Sequence, residues 1–209
     1  MGIGYGKRSC KFTRRSVVQS IDEINNFIPP YPGWNYVEVD NHPLDSPYSF
    51  NYTGKWLLFV PNSDFVEIFR RLAKLTSAMK LTRTFKASGL NEDNKDHVFC
   101  VYCNSNDITF VRTIAETLDK EGYIEKYGYK YRNGSKAIFF KTDETTHYKS
   151  SAMGMSLTLF RFNTKKEFFV KVFNEKLPEW KLVDKNEKDV KIIDNFRSYL
   201  NSLYLQDDD

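Results

Sequence analysis

The chain has 209 residues, of which 41% are hydrophobic, and 31 basic side chains outnumber 27 acidic ones to give a net charge of +4. That length supports one full core and one domain, the apolar fraction excludes a disordered tail, and the small positive surplus permits an anionic partner without demanding one. No run of about 18 apolar residues exists to span a membrane, and the N-terminus lacks an apolar signal core. The three cysteines, Cys10, Cys100 and Cys103, are an odd, small count that suits a reducing compartment, so the expected location is cytoplasmic or nuclear.

Residues 1–15 carry Lys7, Arg8, Lys11, Arg14 and Arg15 with no acid among them and read as a flexible basic arm. Residues 16–209 read as a single α+β domain. Ser16 to Phe27 has a short amphipathic helix pattern, ended by Pro29-Pro30-Tyr31-Pro32-Gly33. Trp34 to Val39 alternates as a strand does, and residues 41–53 read as a loop. Lys55 to Val60 is apolar on both faces, which predicts a central strand.

The firmest helix is expected over 64–79. Phe65, Ile68, Phe69, Leu72, Leu75 and Met79 form its apolar stripe, and Asp64 with Glu67 gives a capping-box pattern. Strands follow over Arg83–Ser88 and His97–Cys103. A second amphipathic helix, over 107–121, is capped by Asp107 and stopped by Gly122. Asn133-Gly134 between Tyr127–Arg132 and Lys136–Lys141 predicts a hairpin with a type I′ turn, placing Tyr127, Tyr129 and Tyr131 on one face. Leu157–Phe162 is a further strand, Lys166–Asn174 suits helix or strand, and Asp189–Leu205 has a helical stripe. Strands recurring in pairs between helices favour a mostly antiparallel sheet over a doubly wound parallel one.

No glycine-rich phosphate loop, nucleophile elbow or His-Glu-x-x-His motif occurs. Cys100 and Cys103, three apart on a strand, point to opposite faces and lack a second ligand pair, so core cysteines are expected and neither a metal nor a cofactor is assigned. The positive residues at strand ends point to a site. Lys55, Lys141 and Lys149, with Lys130 and Arg132 and the aromatic residues Trp56 and Tyr102, give a basic, aromatic sheet face that suits a phosphorylated ligand, as a nucleotide, RNA end or phosphopeptide. Lys86 among other cations could lose its proton and act as a base, and His147, just past a strand, could donate one. Against this stands the plain reading that edge lysines keep a sheet soluble.

Gly54-Lys55-Trp56, Lys86-Ala87-Ser88, His97 to Tyr102 and Phe140-Lys141-Thr142-Asp143-x-x-Thr146-His147 together resemble the basophilic leukaemia-expressed protein family over residues 54–148. Thr142 stands where that family usually has Pro, and Tyr148-Lys149-Ser150 where it has Gly-Ile-Tyr. The resemblance implies a fold like that of the cap-binding translation initiation factor 4E: a curved, mostly antiparallel sheet with helices packed on one face. A remoter likeness is to the phosphothreonine lyases. It implies Lys55 at the phosphate and Lys86 as the base, with Leu57 where an acid histidine belongs. A binding module is therefore the expected function, with a phosphothreonine-lyase-like enzyme and a protein–protein scaffold as the alternatives.

Overall fold

The computed structural model describes residues 17–18, 34–38, 53–79, 84–88, 96–105, 107–143, 158–172, 179–184, 195–196 and 198. The expected basic arm, the polar loop before residue 53, His147 and Lys149 lie outside them, as does most of the expected C-terminal helix. Of that helix, residues 195, 196 and 198 are helical and Phe196 is fully buried.

Among the described residues, ten strands form one sheet: β1 (Val17–Val18), β2 (Trp34–Glu38), β3 (Thr53–Pro61), β4 (Thr84–Ser88), β5 (Asp96–Asn104), β6 (Tyr129–Lys130), β7 (Lys136–Thr142), β8 (Phe160–Asn163), β9 (Phe168–Val172) and β10 (Glu179–Leu182). Their order is β1-β2-β4-β5-β3-β7-β8-β9-β10, with β6 paired to one end of β7. All pairings are antiparallel except β1 with β2. The fold is thus α+β on a mostly antiparallel sheet, as the paired strand spacing predicts. β3 is central, pairing with β5 over its whole length and with β7 over Gly54–Leu57.

Among the described residues, three helices lie between strands. In α1 (Phe65–Met79), Phe65, Ile68, Phe69 and Leu72 are fully buried, so the 3.6-residue stripe is what the sheet buries. A 3-10 turn over Asn62–Asp64 leads into α1. The Asp64 carboxylate accepts from Tyr127 Oη (2.9 Å) and pairs with Lys126 Nζ (3.0 Å), tying the start of α1 to the third helix. α2 (Ile108–Lys120) opens as the sequence indicates, with Asp107 Oδ1 accepting from the Phe110 amide at 2.9 Å. Gly122 follows in the left-handed region, φ 78°, and α3 (Tyr123–Tyr127) begins at once.

Three expectations are corrected and two gaps are filled. Val17–Val18 is a strand parallel to β2, where the sequence pattern suggested helix. Tyr127 ends α3 and is buried, so the hairpin strand shrinks to Tyr129–Lys130. The turn takes positive φ at Gly134 (82°) and not at Asn133, and closes with Tyr131 N–H to Ser135 O and Gly134 N–H to Tyr131 O. That is the three-residue loop with a glycine bulge, not type I′. Residues 168–172 are strand, which settles the ambiguous segment, and β10 was not expected at all.

The core lies on the sheet face that carries Trp56, Leu58, Val60, Phe85, Ala87, Phe99, Val101, Ile138 and Phe140 beneath the helices. Arg112 of α2 donates to Val183 O (2.6 Å) and Asp184 O (3.0 Å) and lies over the Phe168 ring (4.7 Å), fastening the segment after β10 to the helix layer.

Candidate functional site: a lysine recess on the second sheet face

Alternation along each strand decides what the second face carries. On β3, Trp56 and Leu58 enter the core, so Lys55 and Leu57 point the other way. On β4, Phe85 and Ala87 enter the core, which turns Lys86 outward. On β5, Phe99, Val101 and Cys103 go in, which leaves Cys100 and Tyr102 on the second face. On β7, Ile138 and Phe140 go in, which leaves Phe139 and Lys141.

The register brings these residues together. Lys55 stands opposite both Tyr102 and Lys141, and Cys100 stands opposite both Lys86 and Leu57. Lys55 and Lys86 therefore flank Tyr102, and Lys141 lies across the ladder from Lys55 on the far side of β3. The Lys55 and Lys86 ammonium groups each lie 5.4 Å from the Tyr102 ring centroid, within the range of a cation–π contact. Lys55 is only 5% exposed and forms a 2.5 Å ion pair with Asp143. Lys86, Tyr102 and Lys141 are half-buried.

Like charges placed this close disfavour one another's charged form. Burial, and then the Lys55 charge, hold the Lys141 amine below the usual lysine range. Lys86 is lowered by burial first, and the Lys55 charge adds to that. Burial pushes the Cys100 thiol up to about 11 and the Cys103 thiol well above its usual value, so neither is a thiolate near neutrality. Cys100 and Cys103 lie on opposite faces, as their spacing implies. Among the described residues, no cluster of three or more His, Cys, Asp and Glu is placed to hold a metal ion. His97 is fully buried against Phe65 (4.8 Å between centroids), with its ring nitrogens 3.4 Å from Ser88 Oγ and 3.3 Å from Asn62 Oδ1.

Of the residues singled out from the sequence, Lys55, Lys86, Tyr102 and Lys141 converge. Trp56 does not. It is fully buried on the core face, edge-on to Phe140 at 5.4 Å, and its Nε1–H donates to Val111 O at 3.0 Å. A ligand on the second face does not reach it. Lys130 is set apart too: it pairs with Lys136, on the core side of β7, and is exposed. Arg132 is exposed in the hairpin turn. Lys126 belongs to α3 and pairs with Asp64.

The sequence reading missed the far half of the second face. Arg161 of β8 stands opposite Phe139 and Phe169, and Lys171 of β9 stands opposite Trp180 of β10. The Arg161 guanidinium lies 4.1 Å from the Phe169 centroid, 5.0 Å from Trp180 and 5.9 Å from Tyr131. Lys171 Nζ lies 5.1 Å from the Trp180 ring, and burial lowers its amine to about 8. The Phe-Arg-Phe alternation of β8 carries this information, but only once β8 is known to lie beside β7. The chain matches no protein-family model, and no curated protein matches it significantly.

Proposed function

We propose that the chain is a binding module for a phosphorylated ligand, held in the recess formed by Lys55, Lys86 and Lys141 around Tyr102. The observation that carries this reading is the gathering of three lysines from β3, β4 and β7 on one stretch of the second face, two of them over the Tyr102 ring and the third across the ladder from Lys55. Within the recess Asp143 pairs with Lys55. Phosphate oxygens arriving there accept charge-assisted hydrogen bonds and offset the Lys55 repulsion that adds to burial in lowering Lys86 and Lys141. Tyr102 offers a flat wall to a base or an aryl group. A nucleotide, an RNA end and a phosphopeptide all present this chemistry. The resemblance of residues 54–148 to the basophilic leukaemia-expressed proteins, and through them to a curved sheet like that of initiation factor 4E, fits the same reading.

The test is calorimetric titration with pyrophosphate, a nucleoside monophosphate and a phosphothreonine peptide at low and moderate salt. Binding weakens as salt rises, because the contacts are ionic. Removing Lys86 or Lys141 costs about tenfold in affinity, the worth of one hydrogen bond to a charged group. Absence of binding at low salt refutes the reading.

One observation favours an enzymatic variant. Lys86 is held below the usual lysine range by burial and by Lys55, as a general base requires. Elimination at phosphothreonine would move the α-proton to Lys86 Nζ, form the Cα–Cβ double bond and expel phosphate with the C–O electron pair. Leu57, on the same face and on the other side of β5 from Lys86, gives the leaving phosphate no proton. Mass measurement of the incubated phosphothreonine peptide decides: loss of the elements of phosphoric acid supports elimination, and an intact peptide excludes it.

A further inference from the structure

Arg161 holds a charge that no described residue neutralises. Its Nε is buried without a hydrogen-bond partner, and no described carboxylate forms an ion pair with it. What surrounds the guanidinium is aromatic: Phe169, Trp180 and Tyr131. Stacking of this kind uses the guanidinium's flat face and leaves its in-plane N–H groups for hydrogen bonds.

Those groups border a cleft of about 210 Å³ between the β6–β7 hairpin and the β8–β9 turn, lined by Tyr131, Asn133, Arg161, Asn163, Lys165 and Phe169. The rim is preorganised. Asn133 Oδ1 accepts from the Ser135 amide (3.1 Å) and hydroxyl (2.6 Å). Asn163 Oδ1 accepts from the Lys165 and Glu167 amides, each at 3.0 Å. Glu167 also lines the cleft, but its Oε2 takes a 2.7 Å hydrogen bond from Asn163 Nδ2, so it is engaged by the turn. Lys165, exposed on the same turn, adds a second positive charge.

We infer that this cleft is a second ligand site, which takes an oxyanion on Arg161 with an attached ring or short apolar group against Tyr131 and Phe169. An unmet guanidinium fixed by rings presents a rigid fork that matches a phosphate or carboxylate. The cleft is built from β8, β9 and the hairpin, so it shares no residue with the lysine recess and stands or falls separately from it.

Phenyl phosphate and benzoate are the probes, one for each oxyanion. Trp180 emission is the readout, because its ring touches the guanidinium, with Trp180→Phe as the blank. Saturable emission changes are expected, with the stronger probe naming the oxyanion. Arg161→Gln weakens binding about tenfold or more, Arg161→Lys, which keeps the charge but loses the fork, weakens it by less, and Lys165→Ala, on an exposed turn that cannot unfold the sheet, weakens it about threefold. The Lys86→Gln, Lys141→Gln double variant keeps the full Trp180 response even where it abolishes pyrophosphate binding. No saturable change with either probe, or an unchanged affinity in folded Arg161→Gln and in Lys165→Ala, overturns the inference.

Discussion

Lys171 gives the sharpest quantitative prediction. Its side chain is 8% exposed, and burial lowers its amine from 10.5 to about 8. Because the folded value lies below the unfolded one, the unfolded state binds the proton more tightly. The resulting destabilisation is fully present below pH 8 and fades as pH rises from 8 towards 10.5. A gap of that size corresponds to ~3.4 kcal/mol, and solvent screening of an amine that still reaches the surface cuts it to about 1.5–2 kcal/mol. Lys171→Met removes the charge and keeps the volume. It also loses the cation–π contact with Trp180, worth about 0.5–1 kcal/mol. The variant should therefore be about 1 kcal/mol more stable than the wild type at pH 6.5. Urea unfolding at pH 6.5 and at pH 9.5 measures this, and the advantage should shrink at the higher pH. A variant that is less stable at pH 6.5, or an advantage that does not change with pH, refutes the reasoning.

Three further substitutions probe the frame. At Gly54, an added Cβ would sit 2.2 Å from the Phe140 ring and 3.1 Å from Lys141 O, so Gly54→Ala should destabilise by about 2 kcal/mol or more in denaturant unfolding. Trp56→Phe removes the indole donor to Val111 O and leaves a void in the packed core, costing about 1–3 kcal/mol by the same measurement while leaving the lysine recess chemically intact. Asp107→Ala removes the cap of α2 and should cost about 1 kcal/mol.

The parts of the fold legible in the sequence are those fixed by local chemistry. The stripes of α1 and α2, the Asp107 cap and the two-sided apolar pattern of β3 each depend on residues a few positions apart. Alternation also placed Cys100 and Cys103 on opposite faces. What stayed hidden depends on pairing between distant segments. Tyr123–Tyr127 is a single turn of helix flanked by glycines, too short to show a period. β10, with exposed Glu179, Lys181 and Leu182, owes its strand conformation to its ladder with β9. Lys55, Lys86 and Lys141 were legible as strand lysines, but their convergence follows from β5 inserting between β4 and β3. Trp56 reads as an aromatic wall on the face of Lys55, but adjacent residues of a strand face opposite ways and Trp56 enters the core. Arg161 and Lys171 were passed over because nothing local shows that β8 and β9 extend the face begun by β3 and β7.

The central claim is that Lys86 and Lys141 together with Lys55 hold phosphate. Its most direct test is calorimetric titration of pyrophosphate into the wild type and the Lys86→Gln, Lys141→Gln double variant at low salt. Lys55 is left in place so that Asp143 keeps its partner. The account predicts binding by the wild type, weakened at higher salt, and a loss of about a hundredfold in a double variant that retains its fold. Equal affinity in the two proteins would contradict it.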